Sequence, residues 1–219
     1  MSVVELAARR SVPLRVATSG AVAVLWVFFA VANFETWRTT HKPIGLGATG
    51  LELIVATFFV LRRSPWLVSS SPIAWAAAAI GTFGMLAGRP AYAPVGGLEP
   101  LYAALQLFGA LFAGAAVIAL GRSFGIVAAN RGIRTGGPYR LVRHPIYSGY
   151  MLTEIGYLLE NPSVRNVVLF VVVMGFQAVR VMEEERTLGH DPAYQAYCRT
   201  VRNRVLPLSC LGVRPWRGL

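Results

Sequence analysis

Long apolar runs, rather than strict alternation, dominate this chain. Six stand out: Leu14 to Phe34, Gly45 to Leu61, Ile73 to Gly88, Leu101 to Leu120, Ile146 to Leu159 and Val164 to Phe176. A helix needs about 20 apolar residues to cross the hydrocarbon core of a bilayer. The first four runs approach that length. The last two are shorter and flank Glu160-Asn161-Pro162-Ser163, where Asn-Pro signals a turn. At about 1.5 Å per residue the first arm spans only roughly 21 Å. The pattern therefore predicts a tight helical hairpin, its second arm extended through Gln177 to Glu185. The expected fold is all-α: a polytopic membrane helical bundle of five or six spans, the last two forming the hairpin, with a cytoplasmic C-terminal tail. Arg9, Arg10 and Arg15 precede the first run, but Asn33 to Trp37 after it offers no small-residue cleavage pattern, so that run is expected to be a retained span.

Composition sharpens this picture. Of 219 residues, 55% are hydrophobic and 14% charged, against roughly 25% charged in a soluble domain. Mean hydropathy is +0.52. This argues against a water-soluble globule and against disorder. Net charge is +11, yet basic nucleic-acid modules are rich in charge of both signs, so no nucleic-acid partner is expected. Cys198 and Cys210 have no CxxC spacing and few histidines nearby, which excludes a disulfide framework and leaves no metal site to expect.

The positive charge reads as topology. The N-terminal segment, the second loop (Arg62, Arg63) and the fourth loop (Arg122, Arg131, Arg134, Arg140, Arg143) carry ten cations on one side. The other side has Arg38, Lys42, Arg89 and Arg165. The rule places both termini and the fourth loop in the cytoplasm of a multi-pass protein, and the composition points to a bacterial inner membrane. Attraction to anionic lipid accounts for the same arginines. Glu52, inside the second run, either lines a polar cavity or is a protonated or partnered structural group.

Polar residues suited to chemistry gather in two stretches that bracket the hairpin. The first runs from Thr135 to Tyr150. Gly136-Gly137-Pro138 prevents helix, His144 precedes a proline, and Pro145 suits a first helical turn. The backbone N–H groups of that helix start suit an anion or polar ligand; Tyr147 and Tyr150 add aromatic faces. Interface anchoring by Tyr and Arg is the alternative. The second stretch holds Arg180 and Glu183-Glu184-Glu185, then Asp191 to Tyr197. Carboxylates at a helix C-terminus oppose the local dipole and suit a cationic ligand or ribose hydroxyls. A solvated patch paired with Arg180 and Arg186 is the alternative. A turn at Asn161-Pro162 returns both arms to one face, so His144 and Glu184 are expected to be neighbours.

Three motifs in order, GGPYRxVRHPxYxGY, RxxxEExxL and DPAYxxYxxxVxxxxLP, occupy this region. Together they resemble the isoprenylcysteine carboxyl methyltransferase and phospholipid methyltransferase superfamily, over roughly Arg122 to Pro207. The resemblance implies an integral membrane enzyme that uses S-adenosyl-L-methionine and lacks the fold of soluble methyltransferases. It divides the chain into a four-span membrane region, 1–120, and a C-terminal catalytic region, 121–219. It places the cofactor among Tyr139, His144, Pro145, Tyr147, Gly149, Glu184 and Glu185, with Tyr194 and Tyr197 as a lid. Arg180 is the candidate for orienting an acceptor carboxylate, and His144 or a glutamate for accepting a proton from an amine or thiol. The expected partners are the bilayer and an amphiphilic, lipid-like substrate, with no obligate protein partner evident. A phospholipid-type N-methyltransferase, a small-thiol S-methyltransferase and a membrane reductase of the steroid 5-alpha-reductase type are the competing readings; a non-catalytic membrane interaction protein on the same scaffold is a further one.

Overall fold

The computed structural model describes residues 12–65, 67–90 and 96–206, with side chains from 18 onward. Arg9, Arg10, the Arg15 side chain, Pro207, Cys210, Arg214 and Arg217 lie outside that description. Seven helices carry the described fold: α1 (Val12–Thr40), α2 (Pro43–Leu61), α3 (Pro72–Phe83), α4 (Glu99–Leu120), α5 (Pro145–Glu160), α6 (Val164–Leu188) and α7 (Pro192–Thr200). Short 3₁₀ turns follow α3 and α4, and a third covers Gly137–Arg140. Four segments are long and apolar enough to cross a membrane: Thr18–Thr40, Pro43–Leu61, Glu99–Ser123 and Val164–Leu188. Pro72–Ala87 is a shorter apolar stretch, and α5 has 16 residues.

The distribution of side chains inverts that of a soluble protein. Alanines fill the interior, among them Ala23, Ala56, Ala77, Ala113 and Ala116, while Val24, Phe28, Val60, Phe108, Ile118 and Val164 face outward. In water such exposed apolar area would be a liability. In lipid there is no hydrophobic drive between helices, so close contact through small residues holds the bundle instead.

That contact is closest between α4 and α5. A Cβ on Gly109 would lie 2.6 Å from the Gly149 carbonyl oxygen, and one on Gly149 would lie 2.6 Å from the Gly109 carbonyl oxygen. One on Gly156 would meet the Tyr102 carbonyl oxygen at 2.8 Å. The backbones touch there because hydrogen is the only side chain that fits.

The expected hairpin is tight only at its turn. Asn161 through Ser163 reverses the chain, and the Ser163 side chain caps α6 by accepting from the Asn166 N–H. Beyond the turn the arms part: α5 lies along α4, whereas α6 packs on α3. The glycine face of α5 is already committed to α4, so no equally close surface remains for α6. The Asn166 amide secures the turn by donating to the Asn161 and Arg89 carbonyls.

The two charge sets occupy opposite ends of the bundle. Lys42, after α1, pairs with Glu160 at the end of α5, and the Arg165 guanidinium donates to the Ala87 carbonyl. At the other end the Arg63 N–H bonds the Arg122 carbonyl, and Arg62 reaches Ser19 near the start of the first span. A two-residue antiparallel bridge joins the second and fourth loops there, pairing Leu67 with Asn130 and Val68 with Ala129. It departs from an all-helical reading only locally. Glu52 is a partnered group: the Asn33 amide donates to both carboxylate oxygens, at 2.9 and 3.1 Å.

Candidate active site

The arginine-rich end holds a cleft of about 950 Å³, its open mouth included. Its walls come from α5 on one side, α6 on another, the loop from Ser123 to Tyr139, and α7. Trp26 and Thr82 also line it.

Local sequence explains the α5 wall. His144 is non-helical (φ −127°, ψ 62°), and Pro145 opens the helix behind it, so the break falls where the His-Pro pair predicts. His144 is 5% exposed. Its Nε2 lies 3.2 Å from Glu185 Oε1, and its Nδ1 lies 3.6 Å from Glu184 Oε2. Burial opposes charge on the ring, but the hydrogen bonds to Glu184 and Glu185 outweigh it and raise the His144 pKa above the usual value. Both nitrogens face carboxylates, so the doubly protonated imidazolium satisfies both.

On α6, Arg180 and Glu184 share a face, with Nε 3.7 Å from Oε1. Arg180 also donates to Thr82 Oγ1 at 3.0 Å and to the Ile126 carbonyl at 2.7 Å. Its guanidinium lies 5.0 Å from the centre of the Tyr147 ring. The Tyr147 hydroxyl donates to Glu184. Glu184 thus meets His144, Tyr147 and Arg180.

Tyr194 and Tyr197, on α7, pack over the cleft at about 5% and 6% exposure. Burial raises both phenols, which stay neutral. The Tyr197 hydroxyl donates to the Tyr139 carbonyl at 2.6 Å. The Tyr194 hydroxyl is buried without a hydrogen-bond partner among the described residues. Asp191 caps α7 and accepts from the Asn130 amide at 2.8 Å, tying the helix to the fourth loop.

Of the residues singled out from sequence, Tyr139, His144, Tyr147, Arg180, Glu184, Tyr194 and Tyr197 meet in the cleft. Pro145 is fully buried beneath it. Gly149 faces the α4 backbone. Glu185 sits behind His144, paired with Arg143 at 3.0 Å and Arg204 at 2.9 Å. Sequence reasoning did not single out Trp26, Thr82 or Arg131 for the site. Trp26 and Thr82 lie in apolar runs without a motif. Arg131 was one arginine among five in its loop. No metal-binding cluster of His, Cys, Asp or Glu occurs among the described residues.

The cleft combines carboxylate, guanidinium and phenol groups. A carboxylate flanked by phenol faces is chemistry that fits a cation and hydroxyl groups.

Comparison with known proteins agrees with this geometry. Residues 102–190 match the model of the Isoprenylcysteine carboxyl methyltransferase (ICMT) family. The chain is also 36% identical over 108 residues to Protein-S-isoprenylcysteine O-methyltransferase A of Arabidopsis thaliana, an alignment covering 45% of this chain and 54% of that protein. The chain thus spans about half the length of the curated relative it matches. The matched stretch contains the His-Pro helix start, the diverging hairpin and the Arg180–Glu185 segment, so the similarity to the isoprenylcysteine carboxyl methyltransferase family falls on the residues that build the cleft.

Proposed function

We propose that this protein is an integral membrane methyltransferase that transfers a methyl group from S-adenosyl-L-methionine to the carboxylate of an amphiphilic, isoprenylcysteine-like acceptor. The observation that carries this reading is the convergence of His144, Tyr147, Arg180 and Glu184 in one cleft at the end of apolar helices. The region 121–219 is the catalytic part, and the arginine-rich end faces the cytoplasm of a bacterial inner membrane. The bilayer and the acceptor are its partners.

When bound, the cofactor supplies an electrophilic methyl on a sulfonium sulfur. Glu184 and the faces of Tyr139, Tyr147, Tyr194 and Tyr197 would hold that cation and its ribose. Packing of α7 over the cleft excludes water, which strengthens every charge interaction inside. Arg180 holds Glu184 and Tyr147 in position and presents positive charge to an acceptor carboxylate. In-line displacement demands alignment more than proton transfer. A carboxylate is already ionised at neutral pH and needs no base. His144, clamped between two carboxylates as a cation, is a poor proton acceptor, which favours a carboxylate over an amine or thiol.

The test uses purified protein in lipid nanodiscs with methyl-labelled cofactor and an S-isoprenylated N-acetylcysteine. The expected product carries base-labile label, as a methyl ester does, and the corresponding pre-formed ester takes none. Base-stable label would assign the chemistry to nitrogen or sulfur. Binding of NADPH without binding of S-adenosylhomocysteine would replace the reading with a reductase.

A further inference from the structure

We propose that Arg131 is a second anion-binding residue of the cleft beside Arg180, its guanidinium receiving a carboxylate from the ligand. The inference rests on the methyltransferase reading for the identity of that carboxylate, which belongs to the amino-acid end of the cofactor or to the acceptor.

The loop is built to present this side chain. The Ser123 hydroxyl donates to the Arg131 carbonyl at 3.1 Å. The Asn130 side chain accepts from the Gly132 N–H at 2.9 Å. Gly132 has φ +101°, a left-handed conformation that favours glycine. Asn130 itself is fixed by the bridge to Leu67 and by Asp191. The backbone is therefore held on both sides of Arg131. The guanidinium lies against Gly125, where a Cβ would sit 2.5 Å from its Nη1. Glycine there leaves the space the side chain occupies.

Charge pairing leaves two cleft arginines without a carboxylate among the described residues, Arg131 and Arg134; Arg134 is exposed to solvent, whereas Arg131 is partly buried. Among the described residues, Arg143 and Arg204 pair with Glu185, and Arg180 pairs with Glu184. Arg131 lines the cleft and has no carboxylate within ion-pair distance among the described residues. Its Nε is buried with no hydrogen-bond partner. Burial, then repulsion from Arg62, lowers its pKa to about 10, against a smaller opposing pull from Glu184. It remains charged at neutral pH. A partly buried, unpaired guanidinium is costly unless a partner arrives, and its planar fork matches a carboxylate.

The experiment measures binding to the full-length protein in nanodiscs by calorimetry. The probes are S-adenosylhomocysteine, methylthioadenosine (which lacks the amino-acid carboxylate), and an S-isoprenylated N-acetylcysteine with its methyl ester. The variants are Arg131→Gln and Gly125→Ala, the second displacing the guanidinium while keeping the arginine. If the cofactor supplies the anion, both variants weaken S-adenosylhomocysteine at least tenfold and leave methylthioadenosine unchanged. If the acceptor supplies it, both leave the nucleosides unchanged and weaken the acid at least tenfold but not its ester. Equal losses for a carboxylate probe and its uncharged counterpart overturn the proposal, as does unchanged binding throughout, or a wild-type protein that binds neither carboxylate. Failure of the methyltransferase reading has a different signature: the wild type binds neither nucleoside, while the acid arm still decides the role of Arg131. Thermal unfolding of each variant checks that the fold is retained.

Discussion

Tyr147 on α5 donates its phenolic hydrogen bond to Glu184 on α6, across 37 positions of sequence. That bond joins the two motifs directly. Tyr147→Phe keeps the ring over Arg180 but leaves a largely buried carboxylate short of one donor. The expected cost is about 1–3 kcal/mol, read as a lower unfolding temperature in detergent, with weaker S-adenosylhomocysteine binding. Unchanged stability and binding would show that the bond contributes nothing.

The His144 pKa is raised above its ordinary 6.5 because bonds to Glu184 and Glu185 outweigh burial. The folded state therefore favours the charged ring. Stability from this site is fully present below about pH 6.5, the unfolded value. It declines as pH rises through the folded value. Unfolding temperature measured from pH 5.5 to 9 should include this fall, and His144→Gln should flatten it. An equally steep profile in the variant would assign the dependence to other groups.

Close backbone contact makes Gly149 and Gly156 intolerant of any side chain. Gly149→Leu or Gly156→Leu should destabilise by at least about 1–3 kcal/mol, the usual range for overpacking, and more where backbone must move. Gly50 is the control, since nothing lies within 4 Å of a Cβ there. Gly50→Leu should change stability by less than about 0.5 kcal/mol. Similar losses at all three positions would mean that close backbone contact does not set the effect.

Asn33 donates to both oxygens of Glu52 between α1 and α2. Asn33→Leu strands the carboxylate among apolar helices, at an expected cost of about 1–3 kcal/mol. Adding Glu52→Leu should recover most of that loss. A double-mutant cycle reads the coupling; additive losses would deny it.

Helix starts and the apolar runs were legible because their signals are local. His144-Pro145 and Asn161-Pro162 constrain the backbone within a residue or two, and the structure breaks there. The meeting of His144 with Glu184 followed from reversing the chain between them. Faces were harder to read. In a membrane both sides of a helix are apolar, so hydropathy does not say that Gly149 points at α4 or that Glu185 points behind His144. The position of Arg131 depends on a bridge to Leu67, more than sixty residues away, and on Gly125 leaving room. Trp26 reaches the cleft through packing between helices, for which no spacing rule exists.

The parting of α5 and α6 gives the site a mechanical character. The α4–α5 layer and the α3–α6 pair are separately packed units, and the cleft is the seam between them. His144 and Tyr147 belong to one flank, Arg180 and Glu184 to the other, and their bonds are the stitches. On the proposed function, a ligand resting on Glu184 and the Tyr147 ring would bridge the same two flanks, so recognition and cohesion would draw on one set of side chains. Substitutions that loosen the seam degrade both together, whereas lipid-facing substitutions leave both intact.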